Sequence, residues 1–106
     1  MTDQQFQELC ERVLRSIEDA LDASGADVEA SRNGQVLELE FDDGSKIIVN
    51  GNGPLREIWV AARAGGFHFR NEDGRWLDTR SGQELSASLS RLIGEQGGAS
   101  VDLRFA

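Results

Sequence analysis

The apolar residues of the chain recur with two different spacings, and the change of spacing separates helical from extended segments. From Phe6 to Leu21 they recur every three or four residues, as on one face of an amphipathic helix. Thr2 or Asp3 can cap the start of this helix, and Gly25 is suited to its end. The pattern therefore predicts a helix over most of the first 25 residues.

A second helical pattern lies near the C-terminus, where leucines and an isoleucine between residues 85 and 93 share one face. Ser81 is the predicted N-cap, because Glu84 three residues later completes a capping box. Gly97 and Gly98 are expected to end the helix. The alternating tail, residues 101 to 105, predicts either an edge strand or a segment that packs back on the core.

Between the two helices the apolar residues alternate with polar ones, which is the pattern of half-buried strands. Tight turns separate these segments, most clearly at Asn33-Gly34 and at residues 42 to 44. The predicted strands cover residues 27 to 32, 36 to 41, 45 to 49, 57 to 62, 67 to 69 and 75 to 78. Short connections between strands imply an antiparallel meander.

These elements predict an α+β fold with a single domain over residues 1 to 106. Two helices with one apolar face each would pack on one face of a six- or seven-stranded antiparallel sheet, giving a two-layer α/β sandwich. The other sheet face would meet water. If Ile58 and Val60 face the core, Trp59 between them is exposed on that open face. Asn50, Asn52 and Glu57 are close to Trp59 in sequence and could frame it.

Charge is the most informative bulk property of the chain. The net charge is −8, and residues 1 to 43 hold twelve acidic residues against three arginines. This distribution argues against nucleic acid or a membrane surface as the main partner, because both attract lysine and arginine. Cations or a basic protein surface are the expected partners. The N-terminus resembles neither a signal peptide nor a membrane span, so we expect a complete, soluble, cytoplasmic protein.

The acidic residues of the first helix gather opposite its apolar face. Glu18 and Asp22 are four residues apart, and like charges at that spacing repel each other. Together with Asp19 they lie at the helix C-terminus, where the helix dipole favours cations. Two arrangements that destabilise a helix thus occur at the same place, and such unfavourable local features often mark a functional site. Glu8 and Glu11 extend the acidic face, while Arg12 and Arg15 border or interrupt it.

Asp27 and Glu29 would lie beside this helix end if the first strand packs alongside it. We call the five residues the acidic ridge: Glu18, Asp19, Asp22, Asp27 and Glu29. Carboxylate ligands without imidazole or thiolate suit hard cations, and Fe²⁺ is low in the affinity order, so binding there should be weak and labile. The alternative is a solvated helix face that only keeps the protein soluble.

Other residues with reactive side chains have structural explanations. Cys10 lies on the apolar face of the first helix and is expected to be a core residue, and one cysteine excludes an internal disulfide. His68 is expected on the open sheet face, where its imidazole could ligate a metal, although a single surface histidine usually has no special role. Trp76 could be packed or displayed. No catalytic triad, CxxC, phosphate-binding loop or HExxH motif occurs, so an enzyme is the least supported class.

Three ordered stretches resemble the frataxin family, its acidic bacterial members most of all. They read VLELEFDDGSKIIVN from residue 36, PLREIWVAARAGGFHF from residue 54 and WLDTRSG from residue 76. The first helix matches the family in the pattern Phe6, Leu9, Ile17, Glu18, Leu21 and Asp22. The resemblance covers almost the whole chain.

The resemblance implies a protein that binds iron and takes part in iron-sulfur cluster assembly. Frataxins bind Fe²⁺ and Fe³⁺ weakly through acidic residues of the first helix and first strand, which correspond here to the acidic ridge. They dock on the cysteine desulfurase and the scaffold protein and modulate cluster assembly. The partner-binding residues implied here are Glu11, Glu18, Asp19, Asp22, Asn50, Asn52 and Trp59. The exposed sheet tryptophan of the family corresponds to Trp59.

The loop after the first helix, ASGADVEAS, departs from the family by being shorter and poorer in acids. Ala23, Ala26 and Ser31 occupy positions where carboxylates are expected, which leaves iron stoichiometry and affinity open. The alternatives to a docking protein are an iron store or donor, a generic acidic interaction module, and an oxidase of Fe²⁺. We expect a monomer, with iron-driven oligomers as the alternative.

Overall fold

The computed structural model describes residues 1–98 and 100–105. It contains six strands, with one helix before them and one helix after them in the chain. The elements are α1 (Asp3–Ser24), β1 (Glu29–Asn33), β2 (Val36–Glu40), β3 (Lys46–Asn52), β4 (Glu57–Ala62), β5 (Gly65–Glu72), β6 (Arg75–Asp78) and α2 (Leu85–Gly97). The strands form one antiparallel sheet in chain order, β1 to β6. The predicted meander is confirmed. Residues 99 and 106 of the predicted domain lie outside the described part.

The ends of α1 follow the predicted capping chemistry. Thr2 is the N-cap: its hydroxyl oxygen accepts a hydrogen bond from the Gln5 backbone N–H at 3.1 Å. The Gln5 side chain accepts one in return from the Thr2 backbone N–H at 2.8 Å, which completes a capping box. Gly25 ends the helix with a φ of 70°, a conformation that glycine adopts without steric cost.

The predicted N-cap of α2 is wrong. The helix begins at Leu85, and Glu84 precedes it in an extended conformation without a side-chain capping hydrogen bond. Glu84 still forms an isolated antiparallel bridge with Leu77, so it belongs to the end of the sheet and cannot be the third helical residue. Ser81 instead lies in a turn, where its hydroxyl accepts a hydrogen bond from the Gln83 backbone N–H at 3.2 Å.

The core lies between the helices and one face of the sheet. Alternate strand residues point into it and are almost completely buried: Leu37, Leu39, Ile47, Val49, Ile58, Val60 and Phe69. Trp76 is packed, since its ring meets that of Phe6 edge-to-face at 6.3 Å between centroids. Cys10 is buried as predicted, and desolvation raises the pKa of its thiol to about 11, which keeps it protonated.

The tail after α2 packs back on the core, which was one of its two predicted conformations. No strand is assigned to residues 100–105. Leu103 is buried, and its backbone N–H donates a hydrogen bond to the Ser90 hydroxyl of α2 at 2.8 Å. The sheet therefore has six strands in the described part of the chain, and its second face stays uncovered by other elements.

Candidate functional site

Arg32 of β1 lies between two carboxylates of α1. Its guanidinium donates two hydrogen bonds to Glu11, at 2.7 and 2.9 Å, and its Nε lies 2.9 Å from a carboxylate oxygen of Glu18. The register explains this position, because Arg32 pairs with the buried Leu37 and therefore points to the helix side of the sheet.

The arrangement neutralises part of the acidic face. Hydrogen bonding from Arg32 lowers the pKa of Glu11, and the charges of Arg32 and Arg15 act in the same direction. Arg15 also bonds to Glu11, at 3.0 Å. Glu11 and Glu18 are therefore already paired with arginines of the same chain, which reduces what they can offer to an external cation.

Asp19 and Asp22 carry uncompensated charge at the C-terminal end of α1. Both are exposed, and the last turn of the helix contains no basic residue. Neither has an ion-pair partner within residues 1–98 and 100–105. Because the helix dipole also places negative potential at this end, an external positive charge would be attracted here.

Asp27 lies outside the helix, and its carboxyl group interacts with that of Asp42 in the β2–β3 turn. The hydrogen bond between the two carboxyl groups raises the pKa of Asp42, and the negative charges of Asp27 and Asp43 add to the effect. Two carboxylates in such contact repel each other unless they share a proton or a cation. Sequence reasoning missed Asp42, because the contact joins two turns distant in sequence.

Glu29 is separated from the other ridge residues by the alternation of β1. It pairs across the strands with Glu40 and lies on the open sheet face, opposite to the side where Arg32 points. Within the described residues, no group of three or more histidine, cysteine, aspartate or glutamate side chains is placed to hold a metal ion. The acidic ridge is thus a run of separate carboxylates and not a closed coordination cage.

Trp59 lies on the open face, as predicted. Ile58 and Val60 are buried on the other side of the strand, while Trp59 is partly exposed. Its ring stacks on the His68 imidazole of β5, with 4.5 Å between centroids and 14° between planes. Asn50 of β3 is its cross-strand partner on the other side.

Glu57 holds the Trp59 ring in place. The residue is only 5% exposed, and its carboxylate accepts a hydrogen bond from Trp59 Nε1 at 2.9 Å and another from Arg70 at 2.9 Å. These donors lower the pKa of Glu57, the tryptophan bond most strongly, although burial opposes the shift. His68 Nδ1 is 3.9 Å away, and Asn52 is the cross-strand partner of Glu57. Sequence reasoning foresaw neither this burial nor the role of Arg70.

The open face therefore presents an oriented aromatic ring framed by polar groups. The predicted residues Asn50, Asn52 and Trp59 lie together there, whereas Asp19 and Asp22 lie at the end of α1. Two surfaces result, one defined by uncompensated charge and the other by a fixed indole. No described helix is long and apolar enough to cross a membrane.

Comparison with known proteins gives consistent matches over nearly the whole chain. The model of the frataxin-like domain matches residues 1–99. The iron-sulfur cluster assembly protein CyaY of Ralstonia nicotianae is 53% identical over 107 residues, which cover 97% of this chain and 95% of that protein.

Solved structures agree with the fold. Frataxin from Psychromonas ingrahamii superposes with a TM-score of 0.93 at 37% identity, over 99% of this chain and 100% of that chain. Trimeric frataxin from Saccharomyces cerevisiae, complexed with ferrous iron, superposes with a TM-score of 0.67 at 20% identity, over 92% and 88% of the two chains. The yeast likeness shows the fold alone. On the family match and the bacterial identity together, the chain belongs to the frataxin family, among its bacterial CyaY members.

Proposed function

We propose that this protein takes part in iron-sulfur cluster assembly in the bacterial cytoplasm, as a binding protein that docks on the cysteine desulfurase and scaffold protein and modulates their activity. The names of its bacterial relatives support the process. The observation that carries the docking role is the uncompensated charge of Asp19 and Asp22 at the end of α1. A basic surface on the desulfurase is the complementary partner.

The physical basis of this docking is long-range attraction. Complementary charge speeds encounter and fixes orientation, and its contribution falls as salt screens the charges. Glu18 contributes less than its position on the helix suggests, because Arg32 already pairs with it at 2.9 Å. Asp19 and Asp22 are therefore the residues to test, since reversing them disturbs no ion pair of the described fold.

The test is a binding titration of the desulfurase with the double variant Asp19→Lys/Asp22→Lys. We expect binding to weaken at least tenfold at low salt while the circular dichroism spectrum and melting temperature stay those of a folded domain. Wild-type binding should itself weaken steeply between 50 mM and 300 mM salt, as is typical of steered association. A double variant that binds normally would exclude this end of α1 as the docking surface.

A second surface is proposed for the scaffold protein. Trp59 is an aromatic side chain with a fixed orientation, and such residues often dominate the energy of an interface. Trp59→Ala should weaken scaffold binding but leave the domain folded, because the ring lies outside the core. Glu72→Gln, an exposed change on the same sheet, serves as the matched control. Equal affinities of the tryptophan variant and the control would contradict the assignment.

Iron binding is proposed at the Asp27–Asp42 pair, with the rest of the acidic ridge supplying negative potential. The hydrogen bond with Asp27, and after it the repulsion between the two charges, raises the pKa of Asp42, and a cation that bridges the two carboxylates would relieve that repulsion. With only two carboxylates in contact, affinity should be low and water should complete the coordination. The same site would serve an iron store or donor, which is the alternative function.

Titration with Fe²⁺ under anaerobic conditions, followed by backbone amide NMR, tests this site. We expect line broadening centred on residues 27 and 42, extending to residues 18 to 29. The Asp42→Asn variant should lose the effect at residue 27, because the amide cannot bridge a cation with the same charge. Unchanged spectra at millimolar iron would exclude iron as a cargo held by this chain.

A further inference from the structure

A surface pocket lies at the sheet edge formed by β6, away from the acidic ridge. The ladder between β5 and β6 pairs only Phe69 to Glu72 with Arg75 to Asp78, so the first residues of β5 have no partner in β6. After Asp78 the chain forms a turn in which the Thr79 N–H still donates to the His68 carbonyl at 2.9 Å, and Gly82 adopts a φ of 75° within this turn. The space left between β5, the turn and α2 is a pocket of about 280 Å³.

The lining of this pocket is basic in an acidic protein. His68 of β5, Arg80 of the turn and Arg91 of α2 all line it. Asp78 is the one acidic residue among the lining side chains, and its Oδ1 accepts hydrogen bonds from the backbone N–H groups of Arg80 and Ser81, at 2.7 and 3.2 Å. That oxygen is thus directed to the backbone of the turn.

The two arginines have little compensation from elsewhere. Arg80 has no ion-pair partner in the described part of the chain, where most other basic residues have one. Arg91 approaches only Glu95, one helical turn on, at 3.5 Å, and otherwise lies over the Phe67 ring at 5.8 Å. Arginine stacked on an aromatic ring keeps its donors free for planar or tetrahedral oxyanions.

Neutral donors complete the pocket. The Ser81 hydroxyl oxygen accepts a hydrogen bond from Gln83, which leaves its own hydrogen free to donate. The Gln83 side-chain oxygen accepts from Ser88, so its NH₂ group is directed elsewhere. Thr79 adds a second hydroxyl to the lining. The donors outnumber the acceptors, which is the composition of a site for an anion.

We propose that this pocket binds a small multivalent oxyanion through Arg80 and Arg91, with His68 and the two hydroxyls as further donors. Six strands at about 4.8 Å spacing place the edge at β6 roughly 24 Å from the edge at β1. An anion in this pocket would therefore lie far from the acidic ridge, whose negative charge would repel it. The anion site does not rest on the docking and iron-binding roles given above, although its residue His68 also stacks on the Trp59 ring of the open face.

The experiment is an NMR titration of the full chain at low ionic strength with three probes: inorganic phosphate, pyrophosphate and citrate. We expect saturable chemical-shift changes of the backbone amides of His68 and residues 79 to 83. The side-chain N–H signal of Arg91 should shift as well. Pyrophosphate should bind more tightly than phosphate, because it carries more charge. Preference for pyrophosphate over citrate would indicate a phosphorylated ligand, and the reverse preference a carboxylate ligand; either supports the site.

Two variants decide whether the arginines carry the binding. Arg80→Gln and Arg91→Gln should each weaken pyrophosphate binding about tenfold, because each removes a charge-assisted hydrogen bond. Arg12→Gln on α1 removes the same charge from an exposed arginine that does not line the pocket, and it should bind as the wild type does. Shifts that fail to saturate, that sodium chloride reproduces, or that persist unchanged in both pocket variants would overturn the proposal.

Discussion

The buried carboxylate of Glu57 offers the sharpest quantitative test of the open sheet face. It accepts hydrogen bonds from Trp59 and Arg70, both at 2.9 Å, and only 5% of the residue is exposed. In Glu57→Gln the side chain keeps its size but has one acceptor oxygen. Its NH₂ group must then face either the indole N–H or the guanidinium, so one donor loses its partner.

The expected cost follows from that lost bond. A charge-assisted hydrogen bond contributes about 1.5–3 kcal/mol, and Arg70 can turn to water because its side chain is 62% exposed. We therefore expect Glu57→Gln to lower the free energy of unfolding by about 2 kcal/mol at pH 7. For a domain of this size such a loss corresponds to a fall in melting temperature of roughly 8 °C.

The pH dependence has a defined sign. The pKa of Glu57 is lowered in the fold, first by the Trp59 hydrogen bond and then by Arg70, so its contribution is present above the unfolded pKa, near 4.5. It disappears as the pH falls through the lower folded value. The stability difference between wild type and Glu57→Gln should therefore be full at pH 7 and should shrink as the pH falls below 4.5.

Urea unfolding followed by far-ultraviolet circular dichroism measures this difference without relying on the perturbed tryptophan. Glu72→Gln, an exposed acid of β5, is the control and should match the wild type at pH 7 and at pH 3. Equal stability of Glu57→Gln and wild type at pH 7 would refute the reasoning. So would a difference of the same size at pH 3, because it would not arise from the charge of Glu57.

Three further substitutions probe the parts of the fold that place the two surfaces. Asp42→Asn should raise the free energy of unfolding at neutral pH, because it removes the repulsion between Asp42 and Asp27. The gain should vanish at low pH, where the raised pKa of Asp42 leaves its carboxyl protonated in the wild type. Urea unfolding midpoints at pH 7 and pH 3 check this. Leu103→Ala should cost about 2–4 kcal/mol in urea unfolding, because the side chain is buried, and a neutral result would mean that the tail does not pack on the core. Gly51→Ala should lower the melting temperature, since a Cβ there would lie 2.9 Å from the Sγ of the buried Cys10, and an unchanged melting temperature would show that the contact relaxes freely.

The fold could be predicted from sequence because its elements are defined by local patterns. The periodicity of α1, the Asn33-Gly34 turn and the alternation of β2 each depend on neighbouring residues, and the structure follows them. The cap of α2 was mispredicted because a capping-box pattern is also compatible with a turn. A bridge from Leu77 keeps Glu84 extended, and that contact is tertiary.

In the candidate site, sequence predicted the features that depend on one helix or one strand but not the contacts between elements. The exposure of Trp59 follows from the burial of its neighbours in β4, and the acids of α1 follow from helical spacing. The pairing of Arg32 with Glu11 and Glu18 needs the register of β1 and its position beside α1. Contacts of this kind join residues distant in sequence, so charge counts along the chain overestimate the negative potential left for a partner.

The burial of Glu57 on the open face could not be predicted from sequence either, because it depends on contacts with another strand. An acidic residue at the start of a strand is ordinarily exposed, and nothing local indicates burial. Its position depends on Trp59, two residues on in the same strand, and on Arg70, which the register between β4 and β5 places directly opposite Glu57.

The central claim is that uncompensated negative charge at the end of α1 guides this protein to a basic partner. The most direct measurement is the affinity for the cysteine desulfurase as a function of salt, compared between Asp19→Lys/Asp22→Lys and a control with the same net charge, Glu8→Lys/Glu72→Lys, whose two residues are exposed away from this helix end. We expect the first variant to lose both the affinity and the salt dependence, while the control keeps most of both. Equal losses in the two variants would show that only the total charge matters, and would contradict a docking surface at this helix end.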